Sequence, residues 1–134
     1  MTRAYIDTCV FIDAIKGSKP HWQQALALFT DPGRELVSSQ LIRLGLLPGP
    51  TFGKNANEVQ NIESLLGAIS VWVEVDDDLI REAVKIGCDH GVAGVDAVHC
   101  AAAKLAGACL ITSERVGTPM HRVKDLITIH VDAT

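Results

Sequence analysis

Apolar residues fall along this chain in two alternating rhythms. One is the short apolar run, as in "RAYID", "ELVSS", "VWVEV", "ACLITS" and "LITIHV". Such runs are too short for core helices and suit strands buried in a sheet. The other is the helical spacing of apolar positions between those runs. "KPHWQQALALFT" places Trp22, Ala25, Leu26 and Phe29 on one side and stops at the breaker "DPG". "FIDAI" predicts a short helix, and "QLIRLGLLPGP" another, ended by Pro48. "NANEVQNIESLLGAI" repeats Val59, Ile62, Leu65 and Leu66 at helical intervals. "DDDLIREAVKIGCDHG" opens on acids, which suit a helix N-terminus, and closes at a glycine. "VDAVHCAAAKLAG" puts Val98, Ala101, Ala102 and Leu105 on one face, with Gly107 at the C-cap. Buried strands separated by helices predict an α/β fold of three layers, α/β/α, around a central parallel sheet of about five strands. No repeat or linker interrupts the pattern, so residues 1–134 are expected to form a single domain.

Composition supports a packed core: 48% of the 134 residues are hydrophobic and 21% are charged. No apolar run approaches the ~20 residues of a membrane span. The start, "MTRAYIDTCVF", has no basic stretch leading into a long apolar region, so a secretion signal is not expected. Cys9, Cys88, Cys100 and Cys109 form no C-x-x-C pair and read as reduced thiols of a cytoplasmic protein. A net charge of −4 argues against tight binding of nucleic acid by the whole surface, while leaving room for a local basic patch.

The chemistry is expected at strand ends. Ligands of parallel sheets bind beyond the carboxyl ends of the strands, near a switch in strand order. Asp7 ends the first predicted strand, Glu114 follows the fourth, and Asp96 opens the helix leading into the fourth. If strands one and four are neighbours, the three carboxylates converge. Gathered carboxylates repel one another and need a proton or a cation. Oxygen-only ligands suit Mg²⁺ or Mn²⁺. Thr8, Ser39 and Thr112 lie beside the same strand ends and could orient waters or carboxylates. Each acid also has an ordinary reading: Asp96 as a helix N-cap, Glu114 as a solvated loop residue, Asp76 as a cap backed by Asp77 and Asp78. Arg115, His121, Arg122 and Lys124 follow Glu114 with no acid between them, a candidate basic rim for phosphates.

In order and spacing, "YIDTCVFID", "SSQLIRLGLLP", "VDAVHCAAA" and "LITSE" resemble the PIN-domain family, in particular its VapC-type toxin ribonucleases. The resemblance implies RNA cleavage dependent on Mg²⁺ or Mn²⁺, a homodimer and an antitoxin partner. By position it implies a metal-binding, catalytic role for Asp7, Asp96 and Glu114, and supporting hydroxyls at Thr8, Ser39 and Thr112; the basic-rim reading adds Arg115 and Arg122 as substrate contacts. Two positions depart from the family pattern. Gly45 stands where the family has a glutamate, and Cys9 where it commonly has asparagine. Glu35 begins its strand and so lies at the wrong edge to replace the lost acid.

Other readings compete. "CLITSER" has the C-x₅-R spacing of cysteine-dependent phosphatases, but Cys109 begins a strand and the run lacks phosphate-cradling glycines. Cys88, His90, His99 and Cys100 could be read as a zinc set, though their spacing is irregular. The alternative of another class is a PIN-like module that binds an antitoxin-like partner or RNA without cutting, which Gly45 favours. Leu46 and Leu47 fit either a docking surface for a partner helix or the core.

Overall fold

The structure, a computed structural model, describes residues 2–134. Among these residues five strands form one sheet: β1 (Thr2–Ile6), β2 (Arg34–Ser39), β3 (Val71–Val73), β4 (Cys109–Thr112) and β5 (Thr128–His130). Their order is β3-β2-β1-β4-β5, and every pairing is parallel. The chain builds outward from β1 to β3, then crosses back to place β4 on the other side of β1. The switch in strand order therefore lies between β1 and β4, where Ile6 pairs with Ile111. Among the same residues seven helices flank the sheet: α1 (Thr8–Lys16), α2 (Trp22–Leu28), α3 (Leu41–Leu46), α4 (Pro48–Phe52), α5 (Ala56–Leu66), α6 (Asp77–His90) and α7 (Gly94–Leu105).

Strand alternation splits the core in two. Ala4, Ile6, Leu36 and Ile111 face α1, α2 and α5, packing with Val10, Phe11, Leu28 and Ile62. Tyr5, Val37 and Leu110 face α6 and α7, packing with Leu79, Ile86, Ala101 and Ala102. Both sheet faces are covered, as parallel sheets require. The three-layer expectation holds.

Several local expectations change. Pro48 does end α3, but it also starts α4, since proline is preorganised for the first position of a helix. On α2 Ala25 is buried as expected, but its leucine partner in the core is Leu28; Leu26 is 41% exposed. Leu105 is also exposed on α7. Leu46 is core and Leu47 packs against it, so the apolar side chains α3 and α4 leave to solvent are Leu44 and Phe52. Asp76 caps α6, accepting from the Leu79 amide at 2.9 Å, with Asp77 and Asp78 in the first turn. Gly87 on α6 is required by close approach: a Cβ there would lie 2.8 Å from the Val92 carbonyl oxygen.

Candidate active site at the carboxyl edge of the sheet

Asp7 leaves β1 at its carboxyl end and becomes the N-cap of α1. Its side chain accepts from the Val10 amide at 3.4 Å, and its own amide donates to the Ile111 carbonyl on β4. A cap would normally be solvated, but this one is 3% exposed. Burial pushes the Asp7 carboxyl up to about 6, against hydrogen bonds from Cys9, Thr112 and Val10, with Asp96 adding to the rise.

The Cys9 thiol donates to Asp7 Oδ1 at 2.7 Å and accepts from the Ser113 amide at 3.4 Å. Burial, and then the Asp7 charge, push this thiol up to about 12, which keeps it a protonated donor. Thr112 is fully buried, and its hydroxyl accepts from the Glu114 amide at 3.0 Å, fixing the turn that carries Glu114 off β4.

Asp96 lies in the first turn of α7, but the N-cap is Ala93, so Asp96 is not a cap. Its carboxyl is raised by partial desolvation and then by the charge of Glu114. The three acids of the sequence reading thus stand at one edge, Asp7 under the influence of Asp96 and Asp96 under that of Glu114. They are not drawn together around a point. Among the described residues, no three His, Cys, Asp or Glu side chains are gathered as a metal-holding group. The donor set still fits a hard divalent cation in kind, because its members are carboxylates that disfavour one another's charge.

The neighbouring acids do not make good the missing glutamate. Glu35 pairs with Arg3 at 2.6 Å, at the opposite edge. Asp13 is buried and pairs with His21 at 2.8 Å. Gly45 itself looks toward the site's rim: a Cβ there would stand 3.1 Å from Thr8 Cγ2 and 3.6 Å from Thr8 Oγ1.

Sequence reading missed one feature. Ser39 Oγ lies 2.9 Å from the Tyr5 hydroxyl, which lies 2.7 Å from His99 Nδ1, while His99 Nε2 is 3.4 Å from Thr8 Oγ1. Tyr5 and Ser39 are fully buried, and His99 is 2% exposed. Burial lowers the His99 imidazole to about 4, so the ring is neutral. The sequence marks Tyr5 as part of a buried strand and His99 only as a member of the irregular zinc set, and it cannot reveal that a strand and a helix 94 residues apart share a hydrogen bond. This use of His99, together with its burial beside Cys100, removes the zinc reading. Cys109 points away from any phosphate loop and donates to the Arg3 carbonyl at the other edge of the sheet.

On the loop after β4, Arg115, Arg122 and Lys124 are exposed. Among the described residues none of the three has an ion-pair partner. His121 is held by the Glu114 carbonyl at 2.9 Å.

Comparison with known proteins gives one family and one fold. Residues 4–124 match the PIN domain family. No curated protein sequence matches. Among solved structures, the chain is similar to VapBC2 of Rickettsia felis, bound to a DNA fragment from its promoter, with a TM-score of 0.75 and 14% identity over 96% of this chain and 98% of that one. It is similar to VapBC-1 of nontypeable Haemophilus influenzae, with a TM-score of 0.71 and 20% identity over 97% and 98%. A third similarity is to VapC20 of Mycobacterium tuberculosis, a toxin that cleaves the sarcin–ricin loop, with a TM-score of 0.65 and 14% identity over 87% and 92%. At these identities the likeness is one of fold.

Proposed function

Because the chain belongs to the PIN domain family, we propose that it is a ribonuclease dependent on Mg²⁺ or Mn²⁺, the toxin half of a toxin–antitoxin pair. The observation that carries this reading is the line of carboxylates at the β1–β4 switch point, where the charge of Glu114 bears on Asp96 and that of Asp96 on Asp7. Carboxylates whose charge opposes the ionisation of a neighbour have a use for a divalent cation. The sarcin–ricin loop cleaved by one structural neighbour supports RNA as the substrate. The paired VapB and VapC chains of the others support an antitoxin partner. A homodimer and a cytoplasmic location belong to the same proposal.

Asp7, Asp96 and Glu114 would hold the cation. Bound there, it would supply an activated water and stabilise charge on the phosphodiester. The protein's own parts have separate tasks. Cys9 and the Val10 amide fix Oδ1 of Asp7, and Thr112 also donates to this carboxylate, so its orientation toward the cation would be set by the protein. Thr112 holds the turn that presents Glu114. Arg115 and Arg122, exposed and without acidic partners among the described residues, would hold flanking phosphates.

The test is incubation of the pure protein with structured RNAs in Mg²⁺, Mn²⁺ or EDTA. Metal-dependent products, lost in Asp7→Asn and Asp96→Asn, are expected. A specific observation favours a second reading, the non-cleaving module: Gly45 leaves the rim beside Thr8 without a carboxylate. Under that reading RNA or the partner binds and no products form with either metal.

A further inference from the structure

We infer that the buried chain Ser39–Tyr5–His99 holds His99 as its Nε2–H tautomer and thereby obliges the Thr8 hydroxyl to donate its own proton into the carboxylate site. His99 is then a positioning residue that acts through Thr8. The inference deepens the nuclease reading and rests on it for its consequence, though not for its geometry.

Counting protons gives the direction. Each hydroxyl of the chain has one proton, and the neutral imidazole has one. Ser39 is fully buried, and its only hydrogen-bond partner among the described residues is Tyr5. If Tyr5 donated to Ser39, the serine proton would be left in the core with no acceptor. A buried donor without a partner is less tolerable than an acceptor with a spare lone pair. Ser39 therefore donates to Tyr5, and the buried Ser38 hydroxyl, with no hydrogen-bond partner of its own, acts on the same phenol oxygen as a donor would. The single Tyr5 proton then goes to His99 Nδ1, and 2.7 Å is the length of a good O–H···N bond. With Nδ1 accepting, the imidazole proton sits on Nε2 and faces Thr8 Oγ1. At 3.4 Å this is the loosest link of the three, as suits the one that reaches out of the core. Thr8 accepts there, and its hydroxyl proton is free to point toward Asp7, a water or a phosphate oxygen. The reverse order would turn that proton inward and remove a donor from the site.

The site needs this because its carboxylates supply only acceptors. Its other hydroxyl, Thr112, accepts from the Glu114 amide and gives its own proton to Asp7, so it has none left for a ligand. Thr8, directly after Asp7, is placed to meet an anionic oxygen with a proton.

The experiment reads the tautomer directly. In ¹⁵N-histidine-labelled protein, long-range proton–nitrogen correlation is expected to show His99 with a bare Nδ1 and a protonated Nε2. Tyr5→Phe, which keeps the ring and removes the hydroxyl, should mix the two tautomers. In single-turnover RNA cleavage with Mn²⁺, Tyr5→Phe and Thr8→Ala should each slow the reaction by roughly tenfold, and the double variant by no more than either alone. A protonated Nδ1 in the unmodified protein, a tautomer indifferent to Tyr5→Phe, or additive losses in the double variant overturns the inference. Absence of cleavage in every variant overturns the nuclease reading instead, and the tautomer still decides the direction of the chain.

Discussion

Asp7 weakens the fold it caps when it is ionised. Its folded-state value is raised to about 6 from 3.8, with burial as the main cause. The native state then binds a proton that the unfolded chain has released, so this residue's contribution to stability falls as pH rises from about 4 to about 6. A rise of two units corresponds to roughly 3 kcal/mol. Asp7→Asn is expected to stabilise the protein by about 1–3 kcal/mol at pH 7, less whatever the removed hydrogen bonds contributed, and by nearly nothing near pH 4. Urea midpoints measured across that range check the sign and the window. Asp7 was legible as a candidate because a carboxylate ended an apolar strand. Its thiol partner was not: Cys9 stood out only as a departure from a pattern. Nothing in a sequence shows that a capping turn folds residue 9 back onto residue 7.

At the scale of elements, α3 carries the largest departure from expectation. Gly45 leaves room for the Thr8 methyl, so alanine or glutamate must displace that methyl by a few tenths of an ångström. Against this stands the helix propensity any such residue gains over glycine, roughly 0.5–1 kcal/mol. Thr8→Ser removes the obstructing methyl and keeps the hydroxyl. Gly45→Glu in that background is therefore expected to fold well and to tighten Mn²⁺ binding by about tenfold. Gly45→Gln in the same background adds no charge and should leave affinity where it was. Equal Mn²⁺ titrations for the two would show that residue 45 does not reach the cation. The strands and long helices were legible because burial on one face imposes a period. The α3–α4 corner was not, since Pro48 serves as both terminus and start. The exchange of Leu26 for Leu28 on α2 has the same root: two nearby leucines compete for the apolar face, and only the packing of α1 and β2 selects between them.

The whole molecule carries a net charge of −4, so the proposed RNA substrate would have to approach through a local exception to that field. The loop after β4 supplies one, with Arg115 and Arg122 exposed and unpaired among the described residues. Arg115→Glu with Arg122→Glu is expected to weaken RNA binding at low salt and to flatten the plot of log affinity against log salt by about 0.7 for each phosphate no longer neutralised. Filter binding at several salt concentrations measures both. An unchanged slope would place the RNA elsewhere. The parallel sheet was legible in outline because alternating strands and helices allow few other folds. The adjacency of β1 and β4 was legible only as a condition, because right-handed crossovers narrow the routes without choosing among them. That strand order also sets a clock. β1 lies at the centre of the sheet and bonds β4 on one side, so Asp7 waits for a strand made about 100 residues later. At ribosomal rates of about 5–20 residues per second, that delay is roughly 5–20 s. For that interval the nascent chain has its first acid but no cleft around it, so under the proposed ribonuclease reading the newest copy cannot yet cut.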